Sequence, residues 1–277
     1  MSGSPAPKRH PARLHAIIAR EARMAVVFRR GPTREVASLA WDLATDRLSL
    51  GHWFAGRIYE RRCDISPDGR HMIVFAARHN RAPALHEETG GSWTAVSRMP
   101  WLTALDLWPK GNAWNGGGGF AGNRSYWLNG GHGEGRRGSG LALVPSPLGR
   151  QRNNECLGIY FPRLLRDGWE ERSWSPDRAT FAKPLAHGWV LHKIAEAGFP
   201  MPQGAGVYRD AHLLESPAGA VLAREGWEWA ERDGADILYA EAGSLWRQPV
   251  PGPDRLAEPR LVADLTPMAF EARPAPG

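Results

Sequence analysis

Cysteine is nearly missing from this chain: Cys63 and Cys156 are the two in 277 residues. They lie far apart and neither falls in a CxxC pair, so no disulfide framework organises the fold. Cys63 sits in a strand-like stretch just before a turn, where a small buried hydrophobe is its expected role. Long apolar runs are absent too, which excludes a helical membrane span. The apolar piece Leu14–Ala19 is interrupted by His15 and ends at Arg20-Glu21, too short and too polar for a signal-peptide core. A cytoplasmic location without membrane contact is the expectation. Lysine is scarce, since Lys8, Lys110, Lys183 and Lys193 are the four among 35 basic residues. The net charge of +6 therefore rests on arginines, which are spread along the chain among 29 acids. A nucleic-acid surface needs its cations gathered on one face, so nucleic acid is not an expected partner; abundant Ala, Gly, Pro and Arg fit a GC-rich coding sequence. No HExxH and no GxSxG occurs, and His187 and His192 have no nearby Cys or acid at ligand spacing. No metal and no cofactor is expected.

Amphipathic helical periodicity is almost as rare. What the chain has instead is short apolar runs bounded by turn residues, a pattern of sandwiches, barrels and propellers. Strands are expected at Leu14–Ala19, Met24–Arg29, Val36–Trp41, Arg47–Leu50, Met72–Phe75, Trp93–Ser97, Ser125–Leu128, Leu157–Leu164, Trp169–Trp174, Ala179–Lys183 and in a run from Ala220 to Gln248, with a last strand at Leu261–Leu265. Leu102–Trp108 reads as strand or helical turn, and Gly188–Glu196 as strand or the one short helix. Residues 1–12 are expected to be an arm, 13–270 one domain with a long loop over 129–156, and 271–277 a tail.

One hairpin organises this reading. Arg57–Ala77 reads as a strand, a Ser66-Pro67-Asp68-Gly69 turn and a second strand. Pro67 presets φ for the turn and Gly69 accepts positive φ. Met72-Ile73-Val74-Phe75 suits a strand buried on both faces. The pattern recurs: Trp169–Trp174 precedes Ser175-Pro176-Asp177, and Tyr208-Arg209-Asp210 precedes Ser216-Pro217-Ala218-Gly219. Weaker turns at Glu21-Ala22-Arg23 and Gly122-Asn123-Arg124 fit the same slot. Turns near 22, 67, 123, 176 and 218 are spaced by about 40–55 residues, close to the period of four-stranded propeller blades.

Trp41-Asp42-Leu43-Ala44-Thr45-Asp46-Arg47-Leu48 resembles the strand that closes a WD-repeat blade, and Asp64–Phe75 resembles the hairpin that opens the next blade in WD-repeat and TolB-type propellers. The resemblance implies an all-β, propeller-like fold of five or six blades of short antiparallel strands, a closed ring and a binding role; it transfers no catalytic residue. On that model Leu14–Ala19 and Leu261–Leu265 complete one blade together. The stretches YERRCDISPDG, SWTAVSR and WNGGGGF also resemble a group of bacterial proteins, a resemblance that implies no activity.

Candidate site residues come from the charged segments ahead of the Ser-Pro turns. Tyr59, Glu60, Arg61, Glu170, Arg172, Arg209 and Asp210 would meet at one channel mouth if each segment starts an inner strand. Such a ring binds a polar or anionic ligand, or its charges pair across blades and seal the channel. Trp101 and Trp114, each beside a turn, are the tryptophans expected to be exposed; most of the 13 are expected to fill the core. The glycine run at 116–119 lacks the GK[ST] ending of a phosphate loop, and reads as a bend in close contact with a strand or a ligand. The leading function is a non-catalytic binding or scaffold protein that presents a propeller face to a protein or small polar ligand, with a protein partner expected. The alternative is a hydrolase or lyase on a polar substrate, possibly a sugar, with Glu60, Glu170 and Asp210 as acids and bases. Asp64 and Asp106 join only if they meet in space. Nucleic-acid binding through arginines is the third reading.

Overall fold

A computed structural model describes residues 12–31, 34–78, 87–147, 156–198 and 208–275. The chain is all-β, with five sheets and one substantial helix among these residues. The first sheet runs β1 (Arg13–Ile18), β2 (Met24–Arg30), β3 (Glu35–Asp42) and β4 (Arg47–Ala55), antiparallel in chain order. In the second, β5 (Arg57–Ile58) and β6 (Asp64–Ile65) both pair with β7 (His71–Ala77), followed by β8 (Ser92–Arg98) and β9 (Ala104–Pro109). The third has β10 (Gly118–Gly122), β11 (Ser125–Leu128) and β12 (Ala142–Leu143), the last pair parallel. Helix α1 (Cys156–Arg166) leads into the fourth sheet, β13 (Glu170–Trp174), β14 (Arg178–Pro184), β15 (Val190–Ala197), β16 (Tyr208–Glu215) and β17 (Val221–Arg224). The fifth is β18 (Trp227–Asp233), β19 (Asp236–Glu241), β20 (Ser244–Pro249) and β21 (Arg260–Asp264). No helix among the described residues is long and apolar enough to cross a membrane.

The period of two along each strand explains how the sheets stack, because alternate side chains face opposite sides. On β7, Met72 and Val74 join a core shared with Ile17, Val26 and Phe28 of the first sheet, whereas Ile73 joins Phe120 and Tyr126 of the third. In the first sheet, Ala25, Val27, Leu39 and Trp41 pack with Trp229, Leu238 and Leu245 of the fifth. In the fifth, Ala230, Ile237 and Tyr239 turn the other way, toward Phe181, Leu191 and Leu214 of the fourth. The packing order is thus third, second, first, fifth, fourth. Met72, Ile73 and Phe75 are fully buried, as a strand covered on both faces requires.

The hairpin turns explain the recurring motif. Ser66 Oγ donates to Asp68 Oδ1 at 2.6 Å and accepts from the His71 amide at 2.9 Å, and Gly69 takes φ 73°. The turns at 22, 123 and 176 each join the first two strands of a different sheet, and the turn at 67 joins the two-residue β6 to β7. Three of them touch: Glu21 N donates to Pro67 O at 2.8 Å, and Asn123 accepts from the Asp68 amide at 2.7 Å while donating to Glu21 at 2.8 Å. The turn at 218 is different. It joins β16 to β17 at the far edge of the same sheet as the turn at 176, and the fifth sheet's first turn is Asp233–Asp236. Arg23 reaches Asp233 at 2.8 Å.

Leu157–Leu164, expected as a strand, is helical. Its strand formers Ile159, Tyr160 and Phe161 mislead locally, but Leu157, Tyr160, Phe161 and Leu164 fall at i, i+3, i+4 and i+7 and bury one face against the fourth sheet. Leu102–Trp108 and Gly188–Glu196 resolve as the strands β9 and β15. Trp41-Asp42 ends the third strand of its sheet, and β4 lies outside it. The loop reading of 129–147 holds apart from the short β12, with Asp106 accepting from Ser139 Oγ at 2.6 Å and from the Gly138 and Ser139 amides. Residues 1–11, 199–207, 276–277 and part of the loop at 78–91 lie outside the described residues.

The two chain ends do not share a sheet: β1 pairs with β2 and β21 with β20. The first and fifth sheets are joined through side chains instead. Arg29 donates to the carbonyls of Leu265 and Thr266 at 3.0 Å, and Glu228 accepts from the Leu14 amide at 3.0 Å. Arg247 of β20 is the main bridge. It pairs with Asp46 of the first sheet at 2.8 Å and with Asp233 and Asp236 of its own sheet at 2.8 and 2.9 Å, and donates to Leu43 O at 3.1 Å. Arg247→Met leaves Asp46 and Asp233, both largely buried, with only the exposed Arg260 and Arg23 as counter-charges. The expected cost is about 3–5 kcal/mol in urea unfolding; a loss below about 1 kcal/mol, the level of a surface pair, would show that the bridge does not hold these sheets.

Candidate functional site

The charged side chains gather under helix α1. Successive inward positions on β15 are Leu191, Lys193 and Ala195, and on β16 they are Asp210, His212 and Leu214; register places Lys193 opposite His212 and Ala195 opposite Asp210. A lysine, an aspartate and a histidine therefore share the apolar face of the fourth sheet, with Tyr160 of α1 above them. Tyr160 Oη donates to Asp210 Oδ2 at 2.5 Å. Lys193 Nζ donates to Tyr160 Oη at 3.3 Å and to Ala230 O at 3.4 Å. From the 3-10 turn Glu60–Arg62, Arg61 reaches Asp210 Oδ1 at 3.2 Å. Arg163 meets His15 of β1 at 3.2 Å and donates to the Cys63 carbonyl.

Burial and pairing set the protonation states. Burial alone would raise the Asp210 carboxyl, but Arg61 and Lys193 beside it outweigh that and hold it well below its ordinary value. Burial lowers His212 to about 3, helped by Lys193. His212 Nδ1 faces Trp227 O at 3.0 Å and so carries the proton of the neutral ring, leaving Nε2 without a hydrogen-bond partner among the described residues. Burial also lowers His15, with Arg163 adding to it, and raises Tyr160, with Asp210 adding to it. Lys193 falls to about 8, driven by burial and opposed by Asp210 and Glu231.

A cavity of about 450 Å³ opens beside this cluster. Its wall includes residues 15–19 along and just beyond β1, part of α1, Lys193 and part of β18. Six cations line it, Arg20, Arg163, Arg166, Lys183, Lys193 and Arg232, against the two carboxylates Asp167 and Glu231. A shallower recess lined by Asp167, Gly168, Lys183, Pro184 and Arg232 continues it outward. Arg166 is fixed by Asp64 at 2.6 Å and Asp167 at 2.8 Å, and Lys183 by Glu231. Among the described residues no group of three or more His, Cys, Asp or Glu side chains is placed to hold a metal ion.

No protein-family model matches the chain, and no curated protein matches it. Among solved structures, hydrazine synthase of Kuenenia stuttgartiensis is 11% identical, with 90% of this chain and 80% of that chain covered and a TM-score of 0.30. TolB from Acinetobacter baumannii is 12% identical, with 91% of this chain and 57% of that chain covered and a TM-score of 0.26.

Of the residues singled out from sequence, Glu60, Arg61 and Asp210 come together, and Arg61 lies between the two acids. Tyr59 packs on Phe75, with the Arg57 and Arg62 guanidinium groups over its ring. Glu170 and Arg172 do not join them; they form a pair on β13 in which each side chain is 56% exposed. Arg209 turns to Glu196 at 3.1 Å. Trp114 is 68% exposed, whereas Trp101 is half-buried with its ring edge-to-face on His52. The glycine run abuts protein: a Cβ at Gly117 would lie 2.1 Å from Arg62 O, and one at Gly116 2.3 Å from the Phe75 ring. Asp64 and Asp106 serve separate places, Asp64 holding Arg166 and the Phe120 amide, Asp106 holding Ser139 and Tyr126. Sequence reading missed Lys193, His15, Tyr160 and Arg163. A usable signal was present for Lys193: it interrupts an otherwise apolar inward series on β15.

Linkage fixes the acid response of this cluster. Unfolded histidine titrates near 6.5, and His212 stays neutral in the fold until about pH 3. The unfolded chain therefore binds the proton first, and stability falls as pH drops from about 6.5 toward 3. His212→Gln is expected to flatten that part of the stability curve in urea unfolding measured from pH 7 to pH 4. An unchanged slope would exclude His212 as its source.

Proposed function

We propose that this chain is a binding protein of propeller architecture, its five sheets acting as blades, and that it holds a small anionic ligand in the cavity beside α1. The observation that carries the reading is the wall itself: six cations face two carboxylates around a recess of about 450 Å³, within the usual size range of small-molecule pockets. A neutral His15 leaves that excess in place without adding to it. The packing of the fifth sheet on the first supports the propeller reading, as do the turns at 22, 67 and 123, which touch one another. The buried Arg61–Asp210 pair supports the expectation that some channel charges seal rather than bind.

The acid–base alternative has less support, because Glu170 lies on the exposed β13 and Asp210 is occupied by Arg61 and Tyr160. Arginine-mediated nucleic-acid binding has less as well. Arg61, Arg163, Arg166 and Arg247 are committed to internal partners rather than gathered on a face.

Titration calorimetry and thermal unfolding with malonate, inorganic phosphate and glucose test the reading. The anions are expected to bind and glucose not to. An anion at 100 times its Kd adds about 2.7 kcal/mol to stability, a shift of several degrees in Tm. Arg20→Ser at the exposed rim should weaken binding modestly and reduce its salt dependence. Equal affinity for glucose and the anions, or none for either anion, overturns the proposal.

A further inference from the structure

Lys193 is an unusual choice for its position. The chain carries 35 basic residues and only four are lysines, yet a lysine occupies one of the most buried charged positions, 1% exposed. Arginine would serve a buried carboxylate better, because its planar fork gives two parallel hydrogen bonds and keeps its charge. The property lysine has and arginine lacks is that it can lose its proton and become a nucleophile. Here Lys193 lines the cavity and has two acceptors at 3.3 and 3.4 Å, Tyr160 Oη and Ala230 O. A neutral amine has two N–H groups to give to those acceptors, and one lone pair remains. The Trp169 ring, 4.8 Å away, and Tyr160 wall off this nitrogen from bulk water.

We propose that Lys193 captures small carbonyl-bearing anions, of the 2-oxo acid class, as a reversible imine on its Nζ. The inference rests on the anion-binding reading of the cavity and adds a covalent step to it. The lone pair of Nζ adds to the carbonyl carbon to give a carbinolamine; the nitrogen then releases a proton, the hydroxyl takes one up, and water leaves as the C=N bond forms. Tyr160 Oη, hydrogen-bonded to both Lys193 and Asp210, is placed to pass that proton. The cationic wall of the cavity favours the ligand's carboxylate. No oxidant or reductant is needed.

The surroundings favour the neutral amine. Burial, Arg61 and Lys183 act against the charge on Lys193, while Asp210 and Glu231 favour it, and the net position is about 8. His212 opposite is neutral at this pH. At pH 8 about half of Lys193 is free amine, against well under about one per cent of an ordinary lysine.

The test is reductive trapping of the full chain with pyruvate and borohydride, followed by peptide mapping. The expected result is a carboxyethyl adduct on Lys193 at least about tenfold above that on Lys110 or Lys183, suppressed by malonate, and rising with pH to a plateau above about 8. Lys193→Arg, checked for folding by circular dichroism, should lose that adduct. If it does not fold, the site preference in the unaltered chain and its protection by malonate still decide the matter. Malonate binding without a preferred Lys193 adduct overturns the imine and leaves the anion reading standing. No malonate binding, with adducts spread evenly over the lysines, overturns both.

Discussion

The structure depends on strands that are apolar on both faces. A half-buried strand can complete only one interface, but β7, β2 and β19 each divide their alternate side chains between two neighbouring sheets. Each of these sheets is then the middle layer of a stack, and removing either neighbour exposes a full apolar face. At about 25 cal/mol per Å² of apolar surface, such exposure costs far more than any turn or ion pair contributes. The turns and Arg247 act on a smaller scale: they select one order and register among stacks that would all bury grease.

The centre follows the opposite rule. Where α1 covers the fourth sheet, the inward positions hold Lys193, Asp210 and His212 rather than leucine. Charge in such a place is tolerated only when it is paired or neutralised. Asp210 is paired with Arg61 and hydrogen-bonded to Tyr160; His15 and His212 are neutral; Lys193 is shifted toward the neutral amine. A core built only for stability would replace this cluster with apolar side chains at no loss. That the cluster borders the basic cavity is what gives it a functional reading.

Much of the fold was legible in the residues and less of the site. Ser66-Pro67-Asp68-Gly69 announces its hairpin because its chemistry is local: a hydroxyl, a fixed φ and a glycine within four residues. The recurring turns fall in different sheets at 22, 67, 123 and 176, but at 218 the same Ser-Pro chemistry closes the edge hairpin of a sheet already counted. A turn motif encodes a bend and not its place in a sheet. Leu157–Leu164 failed for a related reason: its residue types favour a strand, while the spacing of Leu157, Tyr160, Phe161 and Leu164 favours a helix, and burial against the fourth sheet decides. Among the site residues, Glu60, Arg61 and Asp210 were found because each precedes a motif. Glu170 and Arg172 precede one too, yet lie on an exposed edge strand.

The sequence alone determined the all-β class, the positions of most strands, the doubly buried character of Met72–Phe75, and the conformations of the turns, because each depends on residues within a few positions of one another. Tertiary structure alone decided which sheet lies against which, that the chain ends meet through Arg29, Glu228 and Arg247 rather than in a shared ladder, and that Lys193 borders a cavity. Those outcomes depend on contacts between residues in different sheets, and for the bridges between the chain ends on residues more than about two hundred positions apart, where burial and pairing of charge are settled only after the local pieces have formed.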